Sequence, residues 1–329
     1  MRVEPDAQEA VHERTQVLRR LRCVLERAEL TPPEPDTLRH PAAAEVAHLA
    51  QHALRSGPLA PERQSRLAAR LRQVPPAAFG PADPQDHLNR SVTRALRAIP
   101  ERKGADGQPV TAVLTVWDER ERAALTSALG LLGLLGLLGR VWPEAAAEVR
   151  ETVTEIALLD GEAIDGFTDF TVHGAVLVHR ARLTDSAAGL PGPVRFAEAL
   201  VHEGTHTRCN AAALTAPFLA PDDAPGDAPS DQPRDADGTG RVRELLVETP
   251  LRADPRPLTG LFQQTVVLAR SVELYRRLTG LGPAVDSRRA TLLRGAHQAV
   301  DTLGTHTGRL TDHGKELLAE CDGLIGAAA

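Results

Sequence analysis

The chain has 329 residues, 42 % of them hydrophobic and 25 % charged, with a formal net charge of −6. That composition fits a soluble globular protein with core enough for one large domain or two ordinary ones. Arginine outnumbers lysine 36 to 2 without any basic run, so the balance excludes a nucleic-acid footprint. Cys23, Cys209 and Cys321 lie far apart and form no CxxC, which suits a reducing cytoplasm rather than a disulfide framework.

In chain order, residues 6–29 carry Val11, Val17, Leu18, Leu21, Val24 and Leu25 at helical spacing, which predicts an amphipathic helix. Residues 42–56, 60–73 and 84–98 read as further helices, separated by proline-rich joints such as Pro32-Pro33 and Pro75-Pro76. Residues 110–117 are either a strand or the lead into the next helix. The uncharged run 123–139, with Gly-Leu-Leu three times over, is slightly short of a membrane span and reads as a helix buried inside the protein. Residues 144–159 read as helix with a strand-like end. Between 164 and 180, Phe167, Phe170, Val172, Val176 and Val178 alternate with polar residues, and Gly166 and Gly174 mark turns, predicting a hairpin or two short strands.

A helix is expected over 192–215. It carries His202-Glu203-Gly204-Thr205-His206, an HExxH pattern. Histidines at i and i+4 stack one turn apart on one face and can share a metal ion. Glu203 lies about 100° round the helix, within reach of a metal-bound water or a substrate. Residues 221–240 hold six aspartates and one arginine with no large apolar residue, and read as a disordered acidic loop. Residues 242–249 read as extended, with helices over 257–279, 283–304 and 308–325; Asp254 is the expected cap of the first.

The expected fold class is therefore α+β, predominantly α-helical, with a small β-sheet or hairpin next to the metal-binding helix. Residues 1–105 form a helical N-terminal region and 106–329 the metal-binding region, or the two are one continuous domain. No membrane span and no nucleic-acid partner are expected; the oligomeric state is open.

The third metal ligand decides the chemistry. A metzincin would place a histidine ten residues after the first, where Ala212 stands. A thermolysin-like peptidase would draw a glutamate from a following helix, for which Glu244, Glu248 and Glu273 are candidates. Cys209 is expected to pack rather than ligate, and Asn210 to sit behind the ligands. His173 and His179 are near enough in sequence to approach the site. Two imidazoles and a carboxylate suit Fe(II) as well as zinc. With zinc, Glu203 would activate water as a general base.

The segments LVHEGTH (200–206) and PLRADPRPLTGLFQQ (250–264) together resemble a bacterial family, the HExxH-motif proteins of ribosomal peptide natural-product clusters. These are 2-oxoglutarate- and iron-dependent peptide β-hydroxylases. The likeness spans roughly residues 165–280, and its more specific block is Arg-x-Asp-Pro-Arg-Pro. It implies that His202 and His206 hold Fe(II), that 2-oxoglutarate and O₂ are co-substrates, and that the substrate is a side-chain β-carbon of a precursor peptide. Arg252 and Arg256 are the guanidiniums suited to the 2-oxoglutarate carboxylate. Family members often read Gly-x-x-His after the shared glycine. Here Gly260 is followed by Gln263, so the third ligand is expected from Gln263, Glu248 or Glu273. The alternatives are a zinc metallopeptidase using Glu203, or a catalytically degraded peptide-binding homologue.

Overall fold

A computed structural model describes residues 1–100, 102–104, 107–129, 136–221, 245–251, 255–278 and 280–327. The described chain is α+β and predominantly helical, with a small sheet. By contact it divides into two compact units. The first takes residue 1 and residues 5–214, the second residues 2–4 and 215–329.

The first unit opens with α1 (Ala7–Arg27). Its N-cap is Asp6, whose carboxylate accepts from the Gln8 and Glu9 amides at 2.8 and 3.1 Å. Helix α1 buries Ala10, Glu13, Val17, Leu21 and Leu25, the three-and-four spacing of one helical face. The short α2 (Pro35–Leu38) and then α3 (Pro41–Leu54) and α4 (Pro61–Arg72) follow, each with proline in its first turn, where a missing N–H costs nothing. Ala43, Ala44, Ala47 and Ala50 of α3 pack with Val17, Leu21, Leu25, Leu67 and Leu71 into one core cluster.

The sheet has five strands: β1 (Gly80–Ala82), β2 (Val113–Thr115), β3 (Glu155–Asp160), β4 (Gly166–Thr168) and β5 (Ala175–His179). At its centre β3 and β5 run parallel, from Glu155 opposite Ala175 to Leu159 opposite His179. β4 lies antiparallel on the far edge of β5. On the other edge of β3, β1 pairs parallel with 155–157 and β2 antiparallel with 158–160. The expected pair of strands over 164–180 is thus part of a larger sheet. The strand-like end of 144–159 is its central strand, because helix α8 (Pro143–Thr152) stops at Thr152 and β3 begins at Glu155. Both central strands are buried apart from their last residues, the apolar texture of strands covered on two faces. Gly166 is not a turn residue: it opens β4. Gly174 does need the left-handed region, at φ 95°.

Helix α5 (Asp86–Ala98) covers one face. Its Leu88 and Val92 pack with Ala157, Leu159, Ala175 and Leu177, alternate residues of β3 and β5. Helix α9 (Gly192–Ala212) lies against β4 and β5. The uncharged run is not one continuous helix. Helix α6 (Glu119–Leu129) precedes residues 130–135, which lie outside the described residues, and α7 (Leu137–Val141) starts afresh after an extended Gly136. A reciprocal cap starts α6: Asp118 accepts from the Glu121 amide at 2.7 Å and Glu121 from the Asp118 amide at 3.0 Å. No helix among the described residues is long and apolar enough to cross a membrane.

One buried side chain ties three helices of this unit together. Arg208 of α9 is fully buried. It pairs with Glu9 and Glu13 of α1, the former at 2.6 Å, and with Glu148 of α8. Burial opposes its charge, but Glu148, Glu13 and Glu9 outweigh this and hold the guanidinium above its ordinary pKa. Glu148 also accepts from the Asp6 amide at 2.9 Å, binding the start of α1 to α8.

The second unit is built on α10 (Leu258–Arg277), α11 (Pro283–Gly304) and α12 (Asp312–Ala327), with a two-stranded ribbon of β6 (Leu246–Val247) and β7 (Arg256–Pro257). Phe218 stacks on Phe262 of α10, ring centroids 4.9 Å apart. Its carbonyl lies where a Cβ on Gly314 would have to go, 2.1 Å away, so α12 approaches only through glycine. The acidic loop expected at 221–240 falls almost entirely outside the described residues.

Replacing Arg208 with methionine leaves buried carboxylates without their counter-charge. We expect a loss of about 3–5 kcal/mol in urea unfolding; a change below about 1 kcal/mol would show that the network is not a structural clamp.

Candidate functional site

Helix α9 is buried over most of its surface, with one less-buried stripe formed by Arg195, Ala199, His202, His206 and Asn210. These positions recur every three or four residues, so they share a face. The two histidines are half-buried with ring centroids 5.0 Å apart, the arrangement expected from the i, i+4 spacing. Asn210 follows on the same stripe. Cys209 points into the buried side and forms no disulfide, as packing requires.

Glu203 faces another way. It is buried, and its Oε2 accepts from the Thr168 hydroxyl of β4 at 2.7 Å. A Cβ added to Gly166 would stand 2.9 Å from Glu203 Oε1 and 3.3 Å from the Leu177 carbonyl. A glycine therefore makes room for this carboxylate on the sheet. Gly204 does the same service on the adjacent face of α9, where a Cβ would come within 3.2 Å of Val149 of α8. The glycine inside the motif allows close helix packing.

Thr168 has no sequence signal as a partner of Glu203, and Gly166 reads in sequence only as a turn. Arg208, two residues past the motif, is legible merely as a charged residue in an apolar helix. All three become visible only once β4, α1 and α8 are in place.

The other expected site residues belong to the second unit. Gln263 is half-buried on α10, and Glu248 is exposed just after β6. Glu273 is buried on α10 and accepts from Arg276 at 2.6 and 2.7 Å and from Arg277 at 2.7 Å. Burial pushes its pKa up, but these two guanidiniums prevail and hold the carboxyl below its ordinary value. Ligating a metal would mean exchanging those partners. Arg256 is half-buried in β7. Glu244, Arg252 and Asp254 lie outside the described residues.

The structure does not bring His173 or His179 to His202 and His206 as ligands. His179 Nε2 bonds the Gly161 carbonyl at 2.9 Å, and its Nδ1 accepts from the Ala181 amide at 3.1 Å. His173 sits with its ring 5.5 Å from Phe170, which also packs edge-on against His48. Burial, and then the neighbouring His48, lower the His173 pKa to about 4.

At the N-terminal end of α9 a cleft of about 600 Å³ opens between α6 and the turn Arg180–Leu183, lined by Asp118, Arg120, Glu121, Arg180 and Asp185 among others. Arg195 bonds the carbonyls of this turn, and His202 lies two turns further along α9, about 10 Å by helical rise.

His202 and His206 could offer two nitrogen donors to a metal, a set that would suit Fe(II) or zinc only with a third group. No family model matches the chain, and no match is found among curated proteins.

Two expectations follow. Gly166→Ala is predicted to cost about 1–3 kcal/mol by overpacking against Glu203. In a Glu203→Ala background most of that penalty should vanish; equal penalties in both backgrounds would disprove the contact. The second concerns acid. The His173 pKa is depressed on folding from an unfolded value of about 6.5, so the unfolded chain takes up the proton first. Its neutral form contributes stability that is complete above about pH 6.5 and is lost as the pH falls toward 4, by as much as about 2–3 kcal/mol. His173→Phe should flatten this part of the stability–pH curve measured by urea unfolding, and an unchanged slope would contradict the assignment.

Proposed function

We propose that the chain is an Fe(II)- and 2-oxoglutarate-dependent oxygenase that hydroxylates a side-chain β-carbon of a ribosomally synthesised precursor peptide. The observation that carries this reading is the pairing of His202 and His206 on the one less-buried stripe of α9, with Glu203 turned to the sheet. The resemblance of residues 200–206 and 250–264 to the peptide β-hydroxylases supports the choice of metal and co-substrate.

In this reading His202 and His206 are two of the protein ligands; the candidates read from the sequence for the third are Gln263, Glu248 and Glu273. Iron, when bound, would supply coordination positions for a 2-oxo acid and for O₂. Arg252 and Arg256 would hold the 2-oxo acid's distal carboxylate, since a guanidinium matches a carboxylate bidentately. Glu203 would be a positioning residue: by bonding Thr168 it fixes the rotation of α9 and so the direction of both imidazoles. A cytoplasmic setting suits this reading, since it keeps the thiols of Cys23, Cys209 and Cys321 reduced.

The zinc-peptidase alternative asks Glu203 to be a general base, which needs its carboxylate within reach of a metal-bound water. The bond to Thr168 and the packing on Gly166 speak for the positioning role. The two readings separate in one assay. Protein loaded anaerobically with Fe(II) is given 2-oxoglutarate, O₂ and candidate precursor peptides. The expected result is succinate together with a peptide heavier by one oxygen atom, both abolished in His202→Ala and His206→Ala. Peptide cleavage without 2-oxoglutarate, lost in Glu203→Ala, would establish the peptidase. Intact peptides and no succinate would leave a peptide-binding homologue.

A further inference from the structure

We propose that His40, His87 and Glu155 form a metal site for a divalent first-row transition ion, separate from the histidine pair of α9. All three side chains are buried, and one ligand atom from each lies within 4.8 Å of the other two. Glu155 Oε1 is 3.3 Å from His40 Nε2, and Glu155 Oε2 is 2.7 Å from His87 Nε2. An ion with bonds of about 2.0–2.2 Å to nitrogen and oxygen holds its ligand atoms roughly 3 Å apart, so small shifts would admit it. Two imidazoles among three donors favour a transition ion over magnesium or calcium.

Three separate elements carry these ligands. His40 is the N-cap of α3, His87 is in the first turn of α5, and Glu155 opens the central strand β3. Helices α3 and α5 are clamped by Glu45, which accepts from Arg90 at 2.8 and 2.7 Å. Gln85 adds a further contact to Glu155 Oε1 at 3.4 Å. Such positioning by surrounding bonds is what holds metal ligands in place.

The site and the α9 pair lie on opposite faces of the sheet. Along a strand, side chains alternate between faces. Glu155 shares the face of Ala157 and Leu159, which pack on α5. Thr168, which bonds Glu203 of α9, stands opposite Val176, the partner of Ile156, and so projects from the other face.

The competing account is a hydrogen-bonded cluster in which both imidazoles donate to Glu155. His40 Nδ1 accepts from the Ala42 amide at 3.2 Å, so a neutral ring carries its proton on Nε2. Metal binding through Nε2 moves that proton to Nδ1 and gives up this one cap hydrogen bond. A single cap is a small loss against three coordination bonds.

The test uses untagged full-length protein stripped with a chelator, loaded with Zn²⁺ or Co²⁺ and analysed for bound metal after gel filtration. In the His202→Ala/His206→Ala double variant a full equivalent of metal should remain, and adding Glu155→Gln should remove it. The glutamine is close in shape, and circular dichroism and the melting temperature check that the fold survives. Should Glu155→Gln fail to fold, His87→Gln takes its place. Cobalt bound to the double variant should show visible absorption with nitrogen ligation, lost on the same substitution. A double variant that retains no metal, or one whose metal is unchanged by Glu155→Gln, overturns the proposal. The reading of α9 fails on a different result: wild type and the double variant holding equal metal.

Discussion

The buried guanidinium of Arg208 is the constraint on which the first unit depends. A charge taken out of water is tolerable only when it is paired and hydrogen-bonded, and Arg208 meets carboxylates from two other helices. Its geometry is demanding, because a planar fork satisfies glutamates from α1 and α8 only at one rotation of α9. That rotation also fixes where the rest of α9 points. His206 lies two residues before Arg208, and the half-buried stripe of His202 and His206 faces away from the carboxylates as a consequence. The ion network thereby sets the presentation of the histidines without touching them.

The sheet does the complementary work on the other side of α9. Thr168 grips Glu203 from β4, and Gly166 leaves the room that this carboxylate takes up. Helix α9 is thus held at two angles, by Glu203 toward the strands and by Arg208 toward α1 and α8. Gly204, between the two histidines, lets α8 come close. Every non-histidine position of the motif that bears on packing is occupied by a residue suited to it. This explains why a short pattern can persist as a rigid element in a helix buried over most of its surface.

How much of this the amino-acid sequence reveals depends on the range of the interaction. Helix α1 is legible because Val17, Leu21 and Leu25 repeat at helical spacing within the segment itself, and prolines mark the starts of α3 and α4. Strand β3 is legible only as a strand-like end to a helical run: Glu155-Ile-Ala-Leu-Leu follows a helix without a break, and a short apolar run does not by itself distinguish helix from strand. Its identity is set by β5 and by β1, which lies more than seventy residues earlier. The histidine pair of α9 is legible because both ligands lie on one helix. The contact from Thr168 to Glu203 spans 35 residues, and that from Glu155 to His87 spans 68. Spacings of that size have no periodicity to betray them. One local signal was available for the second cluster: a glutamate opening an otherwise apolar strand is an expensive choice unless something in the core pairs with it.

The engagement of Glu203 changes what the HExxH pattern implies here. The pattern by itself suggests hydrolysis, because its glutamate is usually thought of as the base that activates water. A base must be exposed to the site it serves and able to exchange its proton there. A carboxylate buried on the sheet side, bonded to a threonine hydroxyl and seated over a glycine, is built instead to hold still. The two histidines keep their ligand geometry under either use of the glutamate, so the imidazole pair and the glutamate are separable features of the motif. In the proposed reading the pair would serve metal binding, and the glutamate the angle at which the pair is presented. Chemistry that needs two imidazoles and vacant coordination positions, but no protein base at this position, is the kind such an arrangement favours.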